Sequence, residues 1–177
     1  QQPKTLNRLL TLLAQVHADY LKMQVAAGAK ALMIFDSHAG LLASCDYALW
    51  SAHFIGTMIH QVKSVYPDIP VIVYSKGHAQ APLILAQETQ VNCLGVDWTV
   101  NVAALRHQLS NKNIAIQGNL HPALLSMNDD ESIRQAVKRQ LKHHQEPGYI
   151  LNLGHGIWPS AKLQAVDRLI QQLSGAQ

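Results

Sequence analysis

Tyr149-Ile150-Leu151-Asn152-Leu153-Gly154-His155-Gly156-Ile157-Trp158-Pro159 is the stretch on which the fold turns, because a short β-like run ends in a loop that sets an imidazole between two glycines. The run over 149–151 is apolar and of strand length. Gly154 and Gly156 remove side-chain bulk on both sides of His155 and permit unusual backbone angles, so a ligand can approach the ring and the nearby amides closely. A tight structural turn uses glycines in the same way. Four earlier junctions share the layout: Phe35-Asp36-Ser37-His38-Ala39-Gly40, Tyr74-Ser75-Lys76-Gly77-His78, Gly95-Val96-Asp97-Trp98-Thr99 and Gln117-Gly118-Asn119-Leu120-His121-Pro122. Each places small or polar, chemically capable residues just past a short apolar run.

Outward from these junctions the chain repeats one order of elements. Residues 6–27 have helical period, with Leu9, Leu10, Leu13, Val16, Tyr20 and Met23 on one apolar face and Gly28 as the stop. An almost unbroken apolar run over 31–35 reads as strand, 46–65 as helix, and 70–74 as strand after the break at Pro67-Asp68. Helix follows at 82–87, strand at 93–96, helix at 102–109 and strand at 113–117. The last cycle is a helix over 130–144, the strand over 149–151 and a closing helix over 161–173. The sum is one helix followed by five βα units.

Apolar strands separated by helices predict a parallel α/β sheet covered by helices. Two architectures satisfy that pattern: an open doubly wound sheet, and part of a TIM (β/α)8 barrel. In both, ligands meet the carboxyl ends of the strands, where all five polar junctions fall. Five units are too few to close an eight-stranded barrel, yet the chain starts inside a helix, as though earlier units had been removed. Pattern alone leaves both open and leans to the incomplete barrel.

Composition excludes several classes. A chain of 177 residues, 48% hydrophobic and 14% charged, suits a folded core, and 1–177 is expected to form a single domain. No apolar run approaches the ~18 residues that a membrane span needs. Gln1-Gln2-Pro3-Lys4-Thr5 lacks both the layout of a secretion signal and an initiator methionine, so the chain is expected to be a cut piece of a cytoplasmic protein. Cys45 and Cys93 form no close-spaced pair and fall in segments that read as buried, so both are expected as free thiols. The formal charge of +3 is mild and its lysines and arginines are scattered, so no nucleic-acid partner is expected. An acidic small molecule is compatible with that balance.

Structural roles compete with chemical ones at each junction. Asp36 and Ser37 suit helix capping, and Asp97 beside Trp98 suits a capping carboxylate next to a packing indole. Asn119-Leu120-His121-Pro122 is a natural turn, His78 a loop histidine, and His143-His144 a solvated helix end. The ten histidines include no His-x-x-x-His, and the cysteines no Cys-x-x-Cys, so no metal site is expected. Neither a dinucleotide or P-loop glycine motif nor a Gly-x-Ser-x-Gly elbow occurs.

Four of these motifs, Phe35-Asp36-Ser37-His38-Ala39-Gly40, Leu94-Gly95-Val96-Asp97-Trp98-Thr99, Gln117-Gly118-Asn119-Leu120 and Asn152-Leu153-Gly154-His155-Gly156-Ile157, resemble in order and spacing the C-terminal half of uroporphyrinogen decarboxylases. The resemblance runs over essentially the whole chain. It implies the C-terminal five βα units of a TIM (β/α)8 barrel, with three N-terminal units missing. It further implies a cytoplasmic lyase, usually a homodimer, that converts acetate side chains of uroporphyrinogen to methyl groups in haem synthesis without metal or organic cofactor. The family usually carries Asp where this chain has His121, so no role is carried over to that position.

Carried over position by position, the resemblance implies that Ser37 and His155 line the substrate cleft and contact carboxylates of the tetrapyrrole. Hydroxyl and imidazole donors suit that task. The family's aspartate that holds the pyrrole N–H groups, its arginine-bearing segment and its tyrosine belong to the N-terminal part, so no catalytic residue is assigned within 1–177 and the chain alone is expected to be inactive. Two other readings stand beside this one. The related cobalamin-linked methyltransferases bind zinc through His and Cys, and this chain offers no cysteine beside its His121 or His155 loops. A half-barrel that binds without catalysing is the other.

Overall fold

Runs rich in Val, Ile and Leu form strands where both faces of the backbone can be covered. The computed structural model describes residues 2–127, 129–142 and 147–174. In it, β1 (Leu32–Asp36), β2 (Val71–Ser75), β3 (Cys93–Val96), β4 (Ala115–Leu120) and β5 (Tyr149–Leu153) form one sheet in the order β1-β2-β3-β4-β5. Every neighbouring pair is parallel. A doubly wound sheet reverses its order at a switch point, whereas the wall of a barrel adds each strand beside the last. The sequential order is that of a barrel wall, so the topology selects the architecture that the apolar pattern left open.

The helices in chain order are α1 (Pro3–Ala26), α2 (Ser44–Tyr47), α3 (His53–Lys63), α4 (Ala81–Glu88), α5 (Val102–Gln108), α6 (Asp130–Leu141) and α7 (Leu163–Ser174). They cover one face of the sheet. Alternate strand residues, among them Leu32, Val71, Val73, Leu94 and Ile116, enter a core with Ile59, Val62, Leu85 and Leu105 of the helices. A smaller core of Leu125, Ile133, Val137 and Ala165 ties α6 and α7 to the 3₁₀ turn Pro122–Leu125. The other sheet face carries a cross-strand row of Phe35, Tyr74, Gly95, Gln117 and Ile150, one residue from each strand. Phe35 is 64% and Ile150 45% exposed, so this face, which in a closed barrel looks onto the axis, is open.

Several expectations need correction. The residues of α1 that bury themselves are Ala14, Ala18 and Leu21, while Leu9, Leu13, Val16, Tyr20 and Met23 of the expected apolar face are 40% or more exposed. Small alanines let α1 lie close to α3, and the bulkier stripe has nothing packed over it among the described residues. The helix expected over 46–65 is present as α2 and α3, joined without a break by a π-helical turn, Ala48–Ala52. Strand β4 runs on to Leu120 although Gly118 and Asn119 read locally as loop, because Gly118, Asn119 and Leu120 pair with Leu151, Asn152 and Leu153 of β5. Cys45 is exposed, not buried, since it falls in the first turn of α2. Both cysteines are free, and burial pushes the Cys93 thiol up to about 11. His143 and His144 lie outside the described residues. Among the described residues no helix is long and apolar enough to cross a membrane.

Candidate functional site at the carboxyl ends of the strands

Parallel strands deliver all five polar junctions to one edge. Ser37 follows β1, Asp97 follows β3, Asn119 is the penultimate residue of β4 and His155 lies two residues past β5. The loops are interlocked by backbone contacts that only glycine permits. A Cβ at Gly40 would stand 2.5 Å from the carbonyl oxygen of Gly77, whose own φ is +72°, and a Cβ at Gly154 would stand 2.7 Å from the Trp98 nitrogen. Gly156 has no atom within 4 Å of its would-be Cβ, so the two glycines that flank His155 serve different ends. Gly154 brings the β5 loop against the β3 loop, and Gly156 leaves room.

Most of the polar side chains hold the scaffold. Asp97 is 1% exposed; its carboxylate accepts from the Gly77 amide and from the Thr99 amide and hydroxyl, which joins the loops after β2 and β3. It does not cap α5; that falls to Asn101, whose side chain accepts from the Ala104 amide at 3.0 Å. The Asn119 side-chain amide donates to the carbonyls of Asp97 at 2.8 Å and Val100 at 2.7 Å and accepts from Gln140 at 3.0 Å. His78 Nδ1 accepts from the Ala81 amide at 3.0 Å at the start of α4, and its ring lies 4.8 Å from that of Tyr47. His121 Nδ1 accepts from the Ala123 amide at 3.1 Å, which starts the 3₁₀ turn. Its ring lies 4.5 Å from the indole of Trp98. Asp36 accepts from the Ser51 hydroxyl at 2.6 Å, in the π-helical turn.

Tyrosines bolt the edge together. The Tyr74 hydroxyl donates to the Gly154 carbonyl at 2.7 Å, across 80 residues of sequence. Burial, with the negative Asp97 nearby, pushes that phenol up to about 12, so it stays a donor. Burial also raises Tyr149 to about 12; its hydroxyl meets the Gly118 carbonyl and the Gln140 side chain.

Ser37 and His155 are not used in that way. Ser37 is exposed and gives no side-chain cap to the turns that follow β1, where His38 and Ala43 hold the capping positions. His155 packs edge-on to Trp98, ring centres 6.5 Å apart, and its Nδ1 is buried with no hydrogen-bond partner among the described residues. The two residues come from the first and last strands of the sheet. They nevertheless line one cavity of about 380 Å³ together with Phe35, Tyr74, Gln117 and Asn152, because the sheet curves. A larger hollow of about 830 Å³, among Arg106, Lys112 and Lys142, lies at the amino-terminal ends of the strands. Ligands of barrel folds bind at the opposite end, so volume does not decide the site here.

Gln117 and Asn152 stand within the motifs quoted from the sequence but receive no role there, although alternation along β4 and β5 puts them on the open face. Among the described residues no three His, Cys, Asp or Glu side chains converge in a way that could hold a metal ion.

Known proteins resemble this chain in sequence and in fold. The chain is 36% identical over 179 residues to the uroporphyrinogen decarboxylase of Chloroherpeton thalassium, covering 98% of this chain and 50% of that protein. It is 41% identical over 173 residues to that of Dichelobacter nodosus, covering 96% and 48%. The chain thus spans about half the length of the curated relatives it matches. Among solved structures, a methyltransferase from Methanosarcina mazei superposes with a TM-score of 0.74 at 20% identity, over 92% of this chain and 47% of its own. A putative vitamin-B12-independent methionine synthase from Listeria monocytogenes gives 0.67 at 11% identity, over 99% and 57%. At those identities the likeness is one of fold. The family pattern described as uroporphyrinogen decarboxylase matches residues 1–174, and with strand order, curved edge and sequence pointing the same way, this chain belongs to the uroporphyrinogen decarboxylase family.

Proposed function

We propose that residues 1–177 form a single domain that makes up the carboxyl-terminal part of a uroporphyrinogen decarboxylase and supplies one wall of its substrate cleft. The observation that carries this reading is the meeting of Ser37 and His155 in one cavity at the carboxyl edge of a barrel wall. Neither side chain is spent on the scaffold. In this reading the Ser37 hydroxyl and an N–H of His155 donate to carboxylates of the tetrapyrrole.

The chemistry follows from the substrate class. Protonation of a pyrrole ring creates an electron sink; the C–C bond to the acetate carboxyl then breaks, CO2 leaves, and the bonding pair enters the ring. A proton delivered to the exposed methylene makes the methyl group, the proton first added to the ring then leaves to restore the neutral pyrrole, and four such events convert uroporphyrinogen to coproporphyrinogen. The ring itself accepts the electrons, so the reading requires neither metal nor organic cofactor. What the protein supplies is orientation of the acid side chains and stabilisation of the ring cation. The groups that face the pyrrole N–H atoms are assigned to residues beyond this chain, so no catalytic residue is named within it. A cytoplasmic homodimer is the expected form.

The test is turnover of uroporphyrinogen by a full-length enzyme carrying this segment. Ser37→Ala and His155→Ala each remove a hydrogen bond to a charged group, which is worth about 1.5–3 kcal/mol, so kcat/KM is expected to fall by about 10- to 100-fold with the fold intact. Unchanged kinetics and an unchanged profile of partly decarboxylated intermediates in both variants would remove the support for these roles.

A further inference from the structure

Gln117 is 8% exposed on the open face of β4, and among the described residues its side chain makes one contact of hydrogen-bond type, a 4.0 Å approach of Nε2 to the Met33 sulfur. Buried amides are almost always hydrogen-bonded, since leaving one unpaired costs about 1–3 kcal/mol. Of the other buried polar side chains at this edge, Asp97, Asn119 and His78 each bind backbone groups, while the Ser75 hydroxyl has no partner among the described residues. Gln117 instead lines the cavity that Ser37 and His155 share, and so does Asn152, whose Oδ1 accepts from the Leu153 amide at 2.8 Å and whose NH2 has no partner among the described residues. The cavity walls are otherwise apolar, with Phe35 and Tyr74 rings 5.9 Å apart, and no Lys, Arg, Asp or Glu lines it.

We infer that Gln117 and Asn152 are substrate-binding residues, and that this cavity takes one carboxylate-bearing side chain of a pyrrole, to which this wall of the cleft offers neutral donors. The inference rests on the decarboxylase reading above and names further residues of the same site. A carboxylate has about four acceptor positions, and the cavity offers matching donors: the Ser37 hydroxyl, the NH2 groups of Gln117 and Asn152, and a ring N–H of His155. The apolar wall suits the pyrrole ring that carries the acid.

The experiment uses a full-length enzyme carrying this segment and two probes, a pyrrole bearing one acetate side chain and the same pyrrole with methyl in its place. Binding is followed by the side-chain amide signals of Gln117 and Asn152, the ring signals of His155 and the dissociation constant. The acid is expected to shift all three residues and to bind at least about tenfold more tightly than the methyl compound, the size of one charge-assisted hydrogen bond. Gln117→Glu sets a carboxylate against the ligand and is expected to remove that preference at neutral pH. Gln117→Met, which keeps shape and drops the donor, is expected to weaken it about tenfold, and Asn152→Asp provides an independent check should either substitution at 117 disturb folding. Binding of the acid that shifts His155 but leaves Gln117 and Asn152 unmoved, or an undiminished preference in Gln117→Glu and Asn152→Asp, overturns the inference and leaves the decarboxylase reading standing. An acid that binds no better than the methyl compound and shifts none of the three residues overturns both.

Discussion

The side chains at the carboxyl edge divide by whether their polar atoms are already spent. Asp97, Asn119, His78 and His121 bind backbone groups and fix loops, while Ser37 and His155 do not, which is why the latter pair is proposed to meet substrate. Gly154 is the residue on which the edge depends most. A methyl group there would press on the Trp98 nitrogen and the Asp97 backbone, none of which is a flexible chain end. Gly154→Ala is therefore expected to destabilise the fold by about 1–3 kcal/mol, the usual cost of overpacking, while Gly156→Ala changes stability by about 0.5 kcal/mol or less; denaturant midpoints of the two variants check the contrast. The tyrosines make a second residue-scale prediction. Tyr74 and Tyr149 are raised from an ordinary 10 to about 12, so the folded state holds their phenol protons more tightly than the unfolded chain does. That contribution is fully present below pH 10 and is lost as pH climbs from 10 to about 12. Urea midpoints measured across that window should fall, and fall less steeply in Tyr74→Phe.

At the scale of elements, α1 shows how a helix can be apolar on two sides and bury only one. Its contact with α3 runs through Ala14 and Ala18, which are 2% and 0% exposed, so close approach and not side-chain bulk sets that interface. Ala18→Leu forces extra volume into a full space and is expected to cost about 1–3 kcal/mol by thermal or chemical unfolding. Val16→Gln, on the 55% exposed stripe, is expected to change stability little and to reduce self-association of the isolated chain. A large loss of stability in Val16→Gln would show that the stripe is covered after all.

For the molecule as a whole, β1 and β5 are sheet edges and the axis-facing row is open. Unpaired parallel edges and an exposed Phe35 and Ile150 invite pairing with further chain. Residues 1–177 by themselves are therefore expected to show no turnover of uroporphyrinogen and to sediment as more than a monomer. Coproporphyrinogen formation by a monomer of this length would overturn both the half-barrel account and the assignment of the pyrrole-facing groups to residues beyond it.

What the sequence alone determined is the part governed by local pattern. Apolar runs of strand length, helical period and glycine stops predicted one helix and five βα units, and β3 appears over the expected residues 93–96. The His155 loop and the motif around Ser37 were legible because glycine spacing and residue order carry family resemblance. Tertiary structure decided the rest, through contacts between residues distant in the chain. Strand order, and with it the choice of barrel over doubly wound sheet, depends on which edges pair, and apolarity is the same in both. The end of β4 lies at Leu120 because β5 pairs with it, a partner some thirty residues away. The buried side of α1 follows from what α3 presents and not from which of its own faces is bulkier. The meeting of Ser37, Gln117, Asn152 and His155 in one cavity is a consequence of sheet curvature, which brings the loops after the first and last strands together although no local stretch of sequence contains that geometry.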